Sequence, residues 1–266
     1  MIRMIAVDLD GTLMNSKGEM PPDFQKWVID HPEIITVIAS GRQYFTLLDN
    51  FPEIGDKAVL MAENGAMIGR SGTVFHTDCI QSDILGRTVS VLEQLPGVYL
   101  ILAGAESAYL IGKLLPDMKA PNIAFHRLRE VSSFEEAAAS DTLFKVAVYC
   151  PGMNASELYA SLRNLPEGVV AYISGPEWID VMRCGTDKGS GLRMVMKRFE
   201  VSPNECMAFG DLMNDVAMLR TVQYSFAVAN ASREAKEAAR YETSSNDEDG
   251  VMRILRRIGD FGSEEK

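Results

Sequence analysis

Two aspartates one residue apart, Asp8 and Asp10, close a short apolar run near the start of the chain and precede a Gly-Thr pair. In a strand, residues i and i+2 point to the same side, so both carboxylates face one spot if the strand persists through Asp10. Open α/β sheets bind ligands at the carboxyl ends of their strands. Paired acids held there suit a hard cation such as Mg²⁺ and, with it, phosphate chemistry. A lone Asp-x-Asp also fits a strand that runs into an acidic turn, so the interpretation depends on later segments.

Three later segments carry groups that complement this acidic pair. Ser40–Arg42 follows a buried run at 34–39, Lys188 opens an amphipathic segment, and Gly210–Asp215 ends another short apolar run. In a parallel sheet, the ends of such runs share one edge. The combined set of acids, hydroxyl and ammonium matches phosphoryl transfer through a covalent aspartyl intermediate.

Each group has a predicted role in that reaction. Asp8 would attack phosphorus, with Mg²⁺ shielding its charge from the phosphate. Asp10 would protonate the leaving oxygen and then deprotonate the water that hydrolyses the intermediate. Ser40 and Lys188 would hold the phosphoryl oxygens, Lys188 as a compact point charge.

The metal site is predicted from the remaining acids. Asp211 would complete the oxygen shell of the ion, while Asp215 and Asn214 lie one helical turn on and either bind the ion or orient its ligands. Asp187 is expected to cap the helix that carries Lys188, and Arg42 is expected to form an ion pair. The full set of predicted metal ligands is Asp8, Asp10, Asp211 and Asp215.

Taken together, these segments resemble the four motifs of the haloacid dehalogenase-like superfamily of phosphohydrolases. The motifs in this chain are Asp8–Thr12, Ser40 with its neighbours, Lys188 and Gly210–Asp215. Within the superfamily, the chain resembles the Cof-like, type IIB branch. Asn64-Gly65-Ala66 is a further feature of that branch, and the resemblance implies that Asn64 hydrogen-bonds the substrate at the mouth of the site. The predicted phosphate- and substrate-binding residues are Ser40, Gly41, Asn64, Lys188 and Asn214.

The spacing of the motifs selects this branch. Ser40 follows Asp8 after 32 positions, which leaves no room for a cap domain, whereas 148 positions separate Ser40 from Lys188. The expected fold class is α/β, with a Rossmann-like parallel-sheet core, helices on both faces and an inserted α+β cap domain of type IIB. The core is predicted at 1–82 and 184–266 and the cap at 83–183.

The order of elements supports this division. Continuous apolar runs with β-branched residues fit strands buried on both faces of a parallel sheet, and a helix-strand-strand pattern occurs twice within the cap range. Ser82 is expected to cap the first cap helix, and the stretch 112–133 shows no clear pattern. The predicted strands of the cap lie at 98–102, 108–111, 143–149, 169–174 and 178–183.

Composition and charge narrow the function classes. The 266 residues are 47% hydrophobic and 24% charged, as in an ordinary globular protein. The net charge of −11 argues against nucleic acid or an anionic membrane surface as a partner. No apolar stretch reaches the roughly 18–20 residues of a membrane span. The four cysteines form no C-x-x-C pair and Met1 leads directly into the first strand, so a cytoplasmic protein with reduced thiols is expected.

The predicted function is therefore a Mg²⁺-dependent phosphatase acting on a small phosphorylated metabolite, as a monomer or a homodimer. The family resemblance suggests sugar phosphates or phosphorylated cofactors as substrates. Two alternatives stay open at this stage. One is a phosphomutase on the same fold, and the other is a non-catalytic sensor of a phosphorylated ligand.

Overall fold

The computed structural model of the chain describes residues 1–113, 125–162 and 164–261. Its described strands form two sheets. The strands of the larger sheet are β1 (Met4–Asp8), β2 (Ile35–Ala39), β3 (Val59–Ala62), β4 (Met67–Arg70), β5 (Thr73–Thr77), β12 (Cys206–Gly210), β13 (Tyr224–Val228) and β14 (Tyr241–Thr243). The strands of the smaller sheet are β6 (Tyr99–Gly104), β7 (Ala108–Ile111), β8 (Leu128–Val131), β9 (Leu143–Tyr149), β10 (Val169–Gly175) and β11 (Trp178–Arg183).

The helices connect these strands. The described α-helices are α1 (Phe24–Asp30), α2 (Tyr44–Asn50), α3 (Ser82–Leu92), α4 (Phe134–Ser140), α5 (Ala155–Ser161), α6 (Lys188–Arg198), α7 (Val216–Thr221), α8 (Arg233–Ala238) and α9 (Gly250–Leu255).

The larger sheet has the order β14-β13-β12-β1-β2-β3-β4-β5. All pairs from β14 to β3 are parallel, and the β4–β5 hairpin adds two antiparallel strands at one end. The chain builds β2 and β3 on one side of β1 and returns later to build β12 to β14 on the other side. The carboxyl end of β1 is therefore a topological switch point, where open α/β sheets bind their ligands.

Both faces of the larger sheet are covered, because alternate residues of its strands pack against different helices. Ile5 of β1 belongs to an apolar cluster that includes residues of α1, α2 and α9. Ala6 belongs to a second cluster that includes residues of α6, α7 and α8. Burial on both faces explains the continuous apolar runs of the parallel strands.

The smaller sheet has the order β10-β11-β9-β6-β7-β8 and is antiparallel except for the β7–β8 pair. Residues of α3, α4 and α5 form an apolar cluster with one face of this sheet, which includes Val146 and Ile179. The opposite face carries a separate and smaller apolar cluster.

The structure confirms the α/β class with its parallel sheet, and the five predicted strands of the cap range lie within two residues of their predicted bounds. Two strands were not predicted. β14 is only three residues long and mostly exposed, so it has no apolar run. β8 lies in the stretch 112–133, of which 114–124 falls outside the described residues. The prediction of Ser82 as an N-cap is wrong, because α3 begins at Ser82 and Gln81 occupies the capping position.

The positions of the two sheets are in line with the predicted domain limits, which stay a prediction. Every described strand of the smaller sheet lies within 83–183, and every described strand of the larger sheet lies outside that range. The limit at 82 falls one residue inside α3, and the limit at 183 coincides with the end of β11. Among the described residues, no helix has the length and apolar character needed to cross a bilayer.

Candidate active site

Three buried carboxylates meet at the carboxyl edge of the larger sheet. Asp8 is the last residue of β1, Asp211 directly follows β12, and Asp215 lies one turn further on. Each offers an oxygen that lies within 4.8 Å of the corresponding oxygens of the other two. We call these three residues the carboxylate cluster. Since like charges repel strongly in a low-dielectric interior, the cluster requires cations for its stability.

One cation comes from Lys188, the first residue of α6. Its Nζ donates to Asp8 Oδ1 at 2.5 Å and to Asp215 Oδ1 at 2.6 Å, and its side chain is fully buried. Asp187 fixes the start of the helix, because its carboxylate accepts from the Ser190 backbone N–H while the Ser190 hydroxyl accepts from the Asp187 N–H. The predicted capping role of Asp187 is confirmed, and the cap points Lys188 at the carboxylate cluster.

Burial and mutual repulsion dominate the electrostatics of the cluster. Desolvation, reinforced by Asp215, raises the pKa of Asp8 to about 7 although Lys188 opposes the shift. Desolvation and the charge on Asp8 raise the pKa of Asp211 to about 9. Burial lowers the pKa of Lys188, but Asp215 and Asp8 more than offset it, so the net shift is upward and the ammonium stays charged. One buried lysine therefore does not neutralise the three acids.

The donor atoms of the cluster fit a divalent metal ion. Asp8 Oδ2 is buried and has no hydrogen-bond partner among the described residues. Asp211 Oδ1 accepts a hydrogen bond from Thr12 Oγ1 at 3.1 Å, which fixes the Asp211 carboxylate. Asp215 differs, because its carboxylate accepts from Lys188 and from the backbone N–H groups of Asp211 and Leu212. Asp8 and Asp211 are thus the freest ligands, and Asp215 fixes the loop that presents Asp211.

A pH series with and without metal tests this arrangement. Because the folded-state pKa values of Asp8 and Asp211 lie above the ordinary value of 3.8, the folded protein binds more protons than the unfolded chain. In the presence of chelator, thermal stability is expected to fall as the pH rises from about 4 to about 9. Excess Mg²⁺ should flatten this slope and raise the melting temperature most at the alkaline end. A slope that Mg²⁺ leaves unchanged would count against metal binding by the cluster.

Asp10 does not join the carboxylate cluster. β1 ends at Asp8, and Asp10 forms an isolated bridge with Met14, so the premise that a continuing strand points both carboxylates at one spot is wrong. The Asp10 carboxylate is 57% exposed and accepts from Arg42 Nη2 at 2.5 Å and Nε at 2.9 Å. The expected ion pair of Arg42 is thereby found, and it orients Asp10 at the mouth of the site.

Gly11 permits the turn between the two aspartates. Its φ of +80° is rarely adopted by residues with a side chain. A Cβ at this position would also collide with the Asp211 carboxylate. The Gly-Thr pair of the first motif therefore has a steric reason, because Gly11 leaves room for Asp211 and Thr12 holds it.

The loop after β2 brings Ser40 and Gly41 to the same edge. Ser40 is buried, its backbone carbonyl accepts from the Asn64 N–H, and its hydroxyl accepts from the Arg42 N–H at 3.1 Å. A Cβ on Gly41 would lie 3.2 Å from Asn64 Oδ1 and 3.5 Å from Asp180 Oδ2. Gly41 therefore allows a polar side chain from the smaller sheet to approach the loop.

Asn64 and Asn214 lie in one buried chain of hydrogen bonds. Asn64 follows β3 with a φ of +52°, a left-handed conformation that asparagine tolerates. Its Nδ2 donates to Asp180 Oδ2 at 2.6 Å, and its Oδ1 accepts from Asn214 Nδ2 at 3.0 Å. Both predicted substrate-binding amides thus connect the loop of Asp215 to the smaller sheet.

Two residues of this junction, Lys145 and Glu63, were not predicted. Lys145 projects from β9, and its Nζ lies 2.6 Å from the Gly41 carbonyl, 3.2 Å from Asp180 and 2.9 Å from Glu63. All three charged side chains are buried. We call Lys145, Glu63, Asp180, Asn64 and Asn214 the junction network. A lysine inside the apolar strand Leu143–Tyr149 was the available signal, since a charge in a buried strand requires partners.

A second contact joins the two sheets at the start of α2. The Gln43 side chain exchanges two hydrogen bonds of 3.3 Å with the backbone of Arg127. The Arg127 guanidinium lies 3.5 Å from the ring centroid of Phe45, and His126 Nδ1 lies 2.8 Å from Asp49. The smaller sheet is therefore held against the carboxyl edge of the larger sheet at two separate places.

Comparison with known proteins defines the class of this molecule. The sequence model of the haloacid dehalogenase-like hydrolase family matches residues 5–255, and the chain belongs to this family. This confirms the resemblance to the haloacid dehalogenase-like superfamily drawn from the four motifs. The fold is also shared with a structure described as a HAD subclass IIB sugar phosphatase, at a TM-score of 0.78 and 23% identity over 97% of this chain and 99% of that one.

Individual relatives narrow the class further. The 5-amino-6-(5-phospho-D-ribitylamino)uracil phosphatase YbjI of Escherichia coli K12 is 30% identical over 264 residues, covering 97% of this chain and 96% of that protein. The phosphatase YcsE of Bacillus subtilis 168, of the same named activity, is 26% identical over 263 residues, covering 96% and 95%. The crystal structure of SMU.1108c from Streptococcus mutans UA159 has a TM-score of 0.89 at 28% identity, covering 98% of this chain and 100% of that one. The chain is a phosphatase of the haloacid dehalogenase-like family.

Proposed function

We propose that this phosphatase is Mg²⁺-dependent and hydrolyses a small phosphorylated metabolite through an aspartyl-phosphate intermediate. One observation carries the proposal. At the switch point of a parallel sheet, Asp8 has one oxygen bound to Lys188 and the other buried without a described partner, beside Asp211. This arrangement supports a nucleophilic role for Asp8 and a metal site formed together with Asp211.

In the first step, an Asp8 oxygen attacks phosphorus and the bond to the leaving oxygen breaks. Asp10, oriented by Arg42, gives its proton to that oxygen. Asp8 and Asp211 would hold Mg²⁺, which would supply the positive charge that lets an anion approach an anion. Lys188 and Ser40 are the residues that we assign to the phosphoryl oxygens.

In the second step, Asp10 takes a proton from a water molecule, which attacks the phosphorus of the aspartyl phosphate. The P–O bond to Asp8 breaks, inorganic phosphate leaves and the Asp8 carboxylate is restored. The exposed position of Asp10 supports this role, because its carboxylate is accessible to water.

The substrate is proposed to lie between the two sheets. The junction network closes one side of this space over Gly41, and such closure would limit the access of bulk water during phosphoryl transfer. Sugar phosphates and phosphorylated cofactors are the substrate classes that we consider. The names of the two relatives add 5-amino-6-(5-phospho-D-ribitylamino)uracil as a specific candidate. The cytoplasmic location and the monomeric or homodimeric state stay predictions.

Phosphate release from a panel of phosphorylated metabolites, with Mg²⁺ and with chelator, tests the proposal. The expected result is release from at least one compound with Mg²⁺ and loss of release with chelator. A phosphomutase would move the phosphoryl group without liberating phosphate. A sensor would show ligand-dependent thermal stabilisation and no turnover. Equal release with Mg²⁺ and with chelator would contradict the metal requirement.

A further inference from the structure

One face of the smaller sheet is turned toward the carboxyl edge of the larger sheet, which carries the candidate active site. Side chains alternate along a strand, and Lys145 on β9 is paired in register with Met182, two positions from Asp180 on β11. Lys145 and Asp180 both contact core residues around Gly41. The face that carries them is therefore the inner face of this sheet, and α3, α4 and α5 cover the outer face.

Four aromatic side chains continue this inner face. Trp178 lies two residues before Asp180 on β11, and its register partner Tyr149 lies four residues after Lys145 on β9. The rings of Tyr149 and Trp178 stack with centroids 4.6 Å apart and an interplanar angle of 26°. Tyr99 lies 6.3 Å from Tyr149, and Phe125 lies 6.1 Å from Trp178. We call these four residues the aromatic cluster.

Two of the contacts between the smaller sheet and the core flank the aromatic cluster. On one side, Asp180 is hydrogen-bonded to Asn64 of the candidate active site. On the other side, Phe125 directly precedes His126 and Arg127, which contact Asp49 and Gln43 of the core. Because Trp178 lies two positions from Asp180 and its ring is 6.1 Å from that of Phe125, the aromatic cluster lies on the part of the inner face between these two contacts with the core.

The aromatic cluster is only partly covered by protein. Its members are half-buried, whereas the aliphatic residues Ile101, Leu110 and Ala147 beneath them are buried. Flat aromatic surfaces that remain partly accessible suit stacking against another ring, and such contacts are stronger than the contacts of an aliphatic group of similar size. A platform of this kind, next to a phosphate site, selects a leaving group by its ring.

We propose that Trp178 and Tyr149 form a subsite that binds a planar aromatic or heteroaromatic ring in the leaving group of the substrate. The proposal rests on the proposed phosphatase function and names its substrate class. The ring stacks on the inner face of the smaller sheet while the phosphate lies at Asp8. The segment between ring and phosphate passes the junction network at Asp180.

Two esters that differ only in the ring test this subsite. 5-Amino-6-(5-phospho-D-ribitylamino)uracil and ribitol 5-phosphate share the phosphorylated ribityl chain, and only the first carries a heteroaromatic ring. Wild type is expected to hydrolyse the ring-bearing ester with a kcat/KM at least about 10-fold higher, mainly through a lower KM. In Trp178→Leu, which keeps an apolar side chain but removes the ring, the kcat/KM for the ring-bearing ester should fall to about that for ribitol 5-phosphate.

Two variants control for general effects. Trp178→Phe retains a flat ring and is expected to keep most of the preference, while Trp27→Phe alters the other tryptophan, which is buried in α1, and should keep all of it. Ribitol 5-phosphate should be hydrolysed equally by wild type and Trp27→Phe. The subsite is disproved if Trp178→Leu retains the wild-type preference, or if wild type hydrolyses both esters equally well.

A binding measurement separates this inference from the proposed function. Trp27 and Trp178 are the two tryptophans of the chain, so Trp178 alone reports in a Trp27→Phe protein. The ring-bearing ester should quench the fluorescence of this protein more than it quenches the fluorescence of Trp178→Phe, which serves as the control for absorbance by the ester. Ribitol 5-phosphate should quench neither protein. Quenching without phosphate release from any ester supports the subsite and contradicts the phosphatase proposal. Hydrolysis without selective quenching of Trp178 supports the phosphatase proposal and contradicts the subsite.

Discussion

Asp8→Asn is expected to lower the rate of phosphate release by at least about 10⁴-fold, a loss typical of removing a nucleophile. The amide that replaces the carboxylate has almost the same shape, so Lys188 keeps an oxygen acceptor at this position and retains Asp215 as its second partner. Turnover should therefore be lost while the fold persists. Phosphate release with Mg²⁺ is the measurement, and the thermal transition with chelator verifies the fold.

The same variant is expected to lose activity without losing stability. Burial and the repulsion from Asp215 raise the pKa of Asp8, which means that its ionised form destabilises the metal-free protein at neutral pH. Asp8→Asn removes this charge, so its melting temperature with chelator should equal or exceed that of wild type. Asp30→Asn, at an exposed site at the end of α1, is the matched control and should change neither property.

A nucleophile and a metal ligand can be told apart by comparing Asp8→Asn with Asp211→Asn. Loss of one ligand weakens Mg²⁺ binding, so a higher Mg²⁺ concentration should restore part of the activity of Asp211→Asn. Asp8→Asn should not recover at any concentration. Reduction of the working enzyme with borohydride adds a direct test, because an acyl phosphate at Asp8 would be converted to homoserine in the peptide that contains it. Rescue of Asp8→Asn by Mg²⁺ would falsify the nucleophile assignment.

The residues of the carboxylate cluster could be predicted from the sequence for a physical reason. Asp8 and Asp211 each follow a continuous apolar run, and such runs form neighbouring parallel strands whose carboxyl ends meet. Lys188 could be found as well, because the helix start at Asp187 has a capping signature. These signals are local in sequence, and the parallel order of the strands brings the residues that carry them close together in the fold.

Other features of the site depend on contacts that no local pattern encodes. Asp10 turns away from the carboxylate cluster because β1 ends two residues earlier and because Arg42, 32 positions later, provides a partner. Asp180 and Lys145 meet Asn64 and Glu63 only once the smaller sheet lies against the larger one. Their partners are more than 80 positions distant in the sequence, so the junction network could not be deduced from spacing.

Lys145 is expected to be the residue of the junction network whose loss destabilises the protein most. Its ammonium offsets two buried carboxylates, Glu63 at 2.9 Å and Asp180 at 3.2 Å, and it also donates to the Gly41 carbonyl. Burial raises the pKa of Glu63, and Lys145 opposes that shift. The pKa of Lys145 is raised although burial acts to lower it, because Asp180 and Glu63 stabilise its charged form.

Lys145→Met should therefore lower the apparent free energy of unfolding by about 3–5 kcal/mol at neutral pH, the usual cost of leaving buried charges unpaired. Urea unfolding of wild type and variant measures this change. Lys26→Met is the matched control, because Lys26 forms an exposed ion pair with Asp30 and its loss should cost less than about 1 kcal/mol. Equal effects of the two substitutions would show that the junction network does not hold the sheets together.

The pH dependence and a second substitution identify the cause of the loss. Without Lys145, the pKa of Glu63 rises further above its ordinary value of 4.5, and a carboxyl group with a raised pKa stabilises the fold at low pH and destabilises it as the pH rises. The deficit of Lys145→Met should consequently be larger at pH 8 than at pH 5. Adding Glu63→Gln removes one buried carboxylate that has lost its cation, so it should recover part of the lost stability. If Lys145→Met only removed packing contacts, neither the pH nor Glu63→Gln would change the deficit. Recovery of stability together with continued loss of activity would then assign to the Lys145–Gly41 contact a separate role in holding the phosphate loop.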